Sequence, residues 1–169
     1  MKSIKKISLS RGQLLISQPL INDGFFHNSV VFLSEFTEDG IVGFIVNKPL
    51  RMSIHHLIDN FPKFATTLYY GGPVESDNLY FIHRVPEKIK GSIHITKNLY
   101  WGGDFDQIKD LILKDELKSN EIRFFLGYSG WEENQLNEEI ASESWIVDEM
   151  EDSLFEWDMK NIRSEERRV

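Results

Sequence analysis

A chain of 169 residues, 41% hydrophobic and 27% charged, has the length and balance of one folded domain with a sizeable core. Its formal net charge of −8 opposes bulk affinity for phosphate backbones. The lack of cysteine excludes disulfides, thiol nucleophiles and cysteine-held metals. No apolar run approaches the ~20 residues of a membrane-spanning helix, and the start, Met1 to Ile7, has no apolar stretch after its lysines. The expectation is a soluble, cytoplasmic single domain over 1–169, with loose tails at 1–10 and 164–169 carrying solvated basic residues.

Along the chain, Gln13 to Ser17 reads as a strand stopped by Pro19, and the β-branched and aromatic run Ser29 to Ser34 as a second. Thr37-Glu38-Asp39-Gly40 is a hairpin signal, and Ile41 to Val46 is the return strand. Gly43 inside it marks a bulge or a close backbone approach. Both strands are apolar on both faces, as is Ile122 to Leu126, so all three belong at the centre of a sheet. Ser53 is placed as the N-cap of a short helix bearing Ile54, Leu57 and Ile58, closed by Phe61-Pro62. Thr67 to Tyr70, Asn78 to His83 and Ser92 to Thr96 read as further strands.

The clearest helix runs from Asp104 to Leu113, with Phe105, Ile108, Leu111 and Ile112 in one stripe. Glu121 to Tyr128 is a strand, Gln135 to Ser142 a short helix on Leu136 and Ile140, and Trp145 to Val147 a last short strand. A helix over 152–162 carries Leu154, Phe155 and Met159. Hairpin-like strands with interspersed helices give an α+β class rather than a βαβ alternation.

Two segments concentrate special residues. Gly71-Gly72-Pro73 follows a strand but lacks the Gly-Lys-Ser/Thr of a P-loop and the third glycine of a dinucleotide fingerprint. Pro73 also removes an N–H from any anion cradle; a tight turn is the plainer account. Gly127-Tyr128-Ser129-Gly130-Trp131 differs from a nucleophile elbow because its second glycine comes one residue early. Ser129 with Glu132 instead matches a capping box.

The five histidines show no metal-ligand spacing, and adjacent His55 and His56 point about 100° apart on a helix. His83, ending a strand, either faces a pocket or is a buried, hydrogen-bonded core histidine. The carboxylates Glu132, Glu133, Glu138, Glu139, Glu149, Glu151 and Asp152 suit solvated faces and a helix N-terminus. Trp131 is either a partner anchor or a core cap, whereas Trp145 reads as core. No catalytic set, metal or cofactor is expected.

Taken in order, these motifs resemble the YqgE/AlgH family over nearly the whole chain. The resemblance rests on Gly12 to Pro19 with Asp23 to Val30, Gly43 to Leu50 with its Asn47-Lys48-Pro49, Tyr70 to Val74, His83, and Leu126 to Trp131 with Gln135-Leu136 and Glu139. Asn28 stands where that family usually has arginine. Asn134 replaces a glycine, which makes sense if the position needs positive φ.

The resemblance implies an α+β fold with a mixed, largely antiparallel sheet curled into a pseudo-barrel with flanking helices. Some family members carry the label of transcriptional regulator, and the family has no established catalytic residues to carry over. The leading expectation is a non-enzymatic module that binds a small molecule or protein, with a regulatory role. Its surface would be built from Asn47, Pro49, Gly71, Gly72, Pro73, His83, Gly127, Tyr128, Trp131 and Gln135. In this reading the Asn-Lys-Pro, Gly-Gly-Pro and Gly-Tyr-Ser-Gly-Trp segments form one site; the competing account is three separate structural turns. A direct DNA-binding transcriptional regulator and an enzyme of unknown type are the alternatives, the first opposed by charge and by the lack of a helix-turn-helix pattern.

Overall fold

A computed structural model describes residues 8–18 and 28–150, in which ten strands and three helices alternate irregularly. In chain order they are β1 (Gln13–Ser17), β2 (Val30–Thr37), β3 (Gly40–Ile45), β4 (Pro49–Leu50), α1 (Ile54–Leu57), β5 (Leu68–Tyr70) and β6 (Val74–His83). Then follow β7 (Ile93–Thr96), β8 (Leu99–Trp101), α2 (Phe105–Leu113), β9 (Ile122–Trp131), α3 (Glu133–Ala141) and β10 (Trp145–Glu149). The fold is α+β. One sheet runs β10-β1-β2-β3-β9-β6-β8-β7, with β4 and β5 branching from β9. Every pairing is antiparallel except β5 with β9.

The alternation of the strands explains why three of them are apolar on both faces. Leu14, Val30, Phe32, Phe44 and Phe125 point into one cluster, enclosed by the curl of the sheet. Their neighbours Leu15, Val31, Leu33 and Ile45 point the other way, under Leu136 of α3. Phe124 and Ile122 face a third cluster, closed by Ile54 of α1 and Ile108 of α2. With both faces covered, β2, β3 and β9 are the buried interior strands that their composition requires.

The curl is real but the ladder does not close. Its two ends approach closely: a Cβ on Gly12, before β1, would lie 2.4 Å from Thr96 Cγ2 at the end of β7. Lys97 Nζ donates to Met150 O, just after β10, at 3.1 Å. No backbone ladder joins β7 to β10, so the expected pseudo-barrel is an open, curled sheet.

Local chemistry sets the element ends. Asp104 Oδ1 accepts from Asp106 N at 3.0 Å, capping α2 as its sequence suggested. Ser53 sits at the N-cap of α1 without a side-chain bond, and that helix is a single turn. In the β2–β3 hairpin, Leu33 pairs with Gly43 and Glu35 with Val42, leaving Ser34 as the extra residue. Its hydroxyl donates to Val42 O at 3.2 Å, and a Cβ on Gly43 would lie 2.7 Å from Val31 Cγ1.

Several expectations need correction. β6 begins at Val74, not Asn78, because Val74 pairs with Tyr128 before a four-residue protrusion over 75–78 interrupts the ladder. Strands β4 and β8 carried no sequence signal of their own. β9 continues through Gly127-Tyr128-Ser129-Gly130 to Trp131, a stretch expected to leave the sheet after Tyr128. Asn134 is helical within α3, so its replacement of glycine does not reflect a positive φ. Asn28 does take one, at φ 50. The tail expected over 1–10 is packed at its described end, where Leu9 lies against the cluster under α3. The helix expected over 152–162 lies outside the described residues.

Candidate functional site

The glycine motifs meet where one chain segment crosses another. Along one side of β9, β5 pairs with residues 124–126 and β3 with residues 129–131. Along the other side runs β6. To pass from β5 to β6 the chain must cross β9, and it does so at Gly71-Gly72, over Gly127-Tyr128-Ser129. Gly71 N donates to Leu126 O at 2.7 Å, and Gly71 O accepts from Ile45 N at 2.9 Å and from Ser129 Oγ at 3.1 Å. A Cβ on Gly71 would lie 2.3 Å from Gly127 O, one on Gly72 2.3 Å from Tyr128 C, and one on Gly127 2.3 Å from Gly72 O. Gly127 also holds φ 70. Three glycines are thus required by a backbone-on-backbone contact that no side chain fits.

This crossing reassigns several residues. Ser129 is wholly buried and its hydroxyl is spent on Gly71 O, so it caps nothing. The α3 N-terminus is capped instead by Glu132 with Gln135, whose Oε1 accepts from Glu132 N at 3.4 Å. Asn47 is a clamp: its Oδ1 accepts from Val30 N at 3.0 Å and its Nδ2 donates to Asn28 O at 2.9 Å, tying the end of β3 to the start of β2. Lys48 O accepts from Tyr70 N at 2.8 Å, and Pro49 pairs with Tyr69. The Asn-Lys-Pro segment therefore abuts the crossing.

His83 lies elsewhere and is 0% exposed. Its Nδ1 accepts from Val85 N at 3.2 Å, so the proton sits on Nε2, which faces Gly102 O at 3.1 Å and Ser92 Oγ at 3.0 Å. Burial lowers its pKa below the ordinary 6.5, partly offset by the Gly102 carbonyl and the negative charge of Glu87. It is a buried, hydrogen-bonded core histidine holding β6 to the chain before β7.

Beyond the crossing, Tyr128, Gly130 and Trp131 of β9 and Gln135 of α3 turn toward the tip of the β2–β3 hairpin. Between them lies a hollow of about 440 Å³, floored by Ile41, Val42 and Val74. Tyr128 is half-buried and edge-on to Tyr80, ring centroids 5.5 Å apart. The Tyr80 hydroxyl donates to Glu75, and burial followed by that carboxylate pushes its pKa up to about 12. Trp131 is only 4% exposed and meets Trp145 edge-on at 5.9 Å, so it is chiefly core wall. Of the ten residues singled out from sequence, Tyr128, Trp131 and Gln135 line the hollow. Asn47, Pro49, Gly71, Gly72, Pro73 and Gly127 build or adjoin the crossing behind it. Thr37, Ile41 and Val42, not singled out as site residues from sequence, line it because β3 pairs with the last residues of β9. Among the described residues no group of three or more His, Asp or Glu is placed to hold a metal ion.

The family model described as DUF179, AlgH-like, matches residues 14–164. The chain belongs to the AlgH-like family. A UPF0301 protein of Cytophaga hutchinsonii is 44% identical over 140 residues, 82% of this chain and 77% of that one. One of Bacteroides thetaiotaomicron is 43% identical over 155 residues, 90% and 79% of the two chains. The solution structure of the AlgH protein from Pseudomonas aeruginosa superposes with a TM-score of 0.76 at 23% identity, covering 95% of this chain and 89% of that one. A Corynebacterium diphtheriae crystal structure gives 0.68 at 21% identity, with 86% and 78% covered. These two structures show that the AlgH-like fold is shared.

Proposed function

We propose that this AlgH-like protein is a non-enzymatic, cytoplasmic binding module. The hollow beside Tyr128 receives a small ligand or a side chain of a protein partner, and any regulatory role is exerted through that partner. The observation that carries the reading is the hollow itself: a concavity of about 440 Å³ whose wall combines an aromatic ring, an amide and an apolar floor. Its rigid setting supports it, since Tyr128 sits on an interior strand held by the crossing. The carboxylates of Asp39 and Glu132 at its lining, like the net charge of −8, disfavour a phosphate backbone.

A fragment screen by amide NMR tests this directly. Hits that shift Tyr128, Gly130 and Gln135 together, and are lost in Tyr128→Ala, are the expected result. Hits that cluster on another face, with none here, would contradict it. Trp131→Ala is the poorer probe, because removing a buried Trp costs about 3–5 kcal/mol of stability by itself.

A further inference from the structure

The β7–β8 hairpin ends the curled sheet and is lightly attached. Among the described residues β7 pairs with β8 alone, and β8 joins β6 through two residue pairs, Ile82 with Trp101 and His83 with Tyr100. The hairpin covers the interior cluster with Ile95, Leu99 and Trp101. Its tip rests on the far end of the sheet, where Thr96 meets Gly12 and Lys97 Nζ donates to Met150 O. Both legs leave it through glycines at positive φ, Gly91 at φ 80 and Gly102 at φ 70. A Cβ on Gly102 would meet nothing within 4 Å, and one on Gly91 nothing nearer than Gly103 Cα at 3.7 Å. Just below them the chain is pinned: Asp104 N donates to Lys90 O at 2.8 Å, and Lys90 N to Gln107 Oε1 of α2 at 2.6 Å. Loosely packed glycines between a pinned base and a lightly paired hairpin have the geometry of a hinge.

His83 stands at the root of both legs. Its Nε2–H is shared between Ser92 Oγ at 3.0 Å on one leg and Gly102 O at 3.1 Å on the other. The Ser92 hydroxyl donates to Ile89 O, which leaves its oxygen free to accept. A second proton, on Nδ1, would point at the Val85 N–H that now donates there. The ring is fully buried, so water reaches a charged ring only if the legs part. Tyr100 of β8 stacks on it at 6.2 Å, with His94 of β7 against Tyr100 at 5.0 Å. The Glu87 carboxylate, from the loop after β6, favours the proton, but burial outweighs it and holds the pKa below 6.5. Closure also covers Trp101 Nε1, which has no acceptor among the described residues, a cost that favours opening.

We propose that the β7–β8 hairpin is a flap hinged at Gly91 and Gly102, and that His83 is its latch, released when the ring gains a proton. Opening exposes Ile95, Leu99 and the Trp101 indole while β2, β3 and β9 stay paired. The open form binds the proton more tightly, so opening grows as pH falls through 6.5 toward the lowered value. The flap stands apart from the hollow beside Tyr128 and does not depend on what binds there.

Native-state amide hydrogen exchange of the full chain in low, increasing urea, at about pH 7.5 and about pH 5.5, tests it. The reporters are Gly102 N, bonded to Phe81 O, and Val85 N, bonded to His83. Ile45 N, bonded to Gly71 O, reports unfolding of the sheet. Relative to intrinsic rates, Gly102 and Val85 should exchange at least about tenfold faster than Ile45, with a far smaller urea dependence. Between the two pH values their opening should rise by up to about tenfold, a rise kept by His94→Gln and lost in His83→Gln. Equal protection and equal urea dependence at Gly102 and Ile45 would overturn the flap. No rise in the parent, its loss in His94→Gln, or an equal rise in His83→Gln would overturn the latch. Should His83→Gln fail to fold, Lys97→Ala cuts the bond at the tip instead. It should raise opening at Gly102 by about threefold or more with the urea dependence still small, and no change there would overturn the proposal.

Discussion

His83 shows how a residue can look functional and be structural. A histidine at the end of a strand has the chemistry of a site, but here both ring nitrogens are committed to the fold. Protonating Nδ1 would break its bond from Val85 N and place a charge in the core. Its folded pKa lies below the unfolded 6.5, so below that value the unfolded chain binds more protons than the folded one. The stability from neutral His83 is therefore fully present above 6.5 and is lost as pH falls toward the lowered value. Urea midpoints at about pH 7.5 and about pH 5.5 should drop further for the parent than for His83→Gln. Equal drops would mean that His83 is not held neutral. Asn47 is a second case: Asn47→Ala strands Val30 N and Asn28 O and should cost about 1–3 kcal/mol in the same measurement.

At the scale of elements, the sequence was readable wherever packing follows periodicity. β2, β3 and the first half of β9 were identifiable because a strand covered on both faces has no solvent-compatible side. α2 was identifiable from its stripe and its Asp104 cap. The second half of β9 was not, because Gly127, Ser129 and Gly130 have the composition of a loop. The small size of Gly127 and Ser129 answers a different demand, the passage of Gly71-Gly72 across the strand, which depends on partners 55 or more positions away. β4 and β8 were hidden by length, since two or three residues show no alternation. For the site, Tyr128, Trp131 and Gln135 were legible as a cluster, whereas Thr37, Ile41 and Val42 became part of it only through the hairpin and the pairing of β3 with β9. Tyr128→Ala and Trp131→Ala separate the roles along β9. The first should leave thermal stability within about 1.5 kcal/mol of the parent and abolish binding, while the second should lose about 3–5 kcal/mol. The reverse order would make Tyr128 the structural residue.

For the whole molecule, the sheet curls until Gly12 meets Thr96 and Lys97 reaches Met150, yet its two edge strands remain unjoined. The acidic balance is a property at this scale too. The isolated protein should give no mobility shift with duplex DNA at physiological ionic strength, and a salt-dependent shift would contradict that. The central structural claim is that Gly71, Gly72 and Gly127 serve a chain crossing, with the hollow beside Tyr128 built in front of it. Equilibrium urea denaturation of Gly71→Ala beside Gly130→Ala tests it most directly. At Gly71 a methyl would lie 2.3 Å from Gly127 O; at Gly130 its nearest neighbour is Tyr128 Cε2 at 3.7 Å. The account predicts that Gly71→Ala loses more than about 2 kcal/mol or fails to fold, while Gly130→Ala stays within about 1 kcal/mol of the parent. Equal stability of the two variants would mean that the backbones do not cross there.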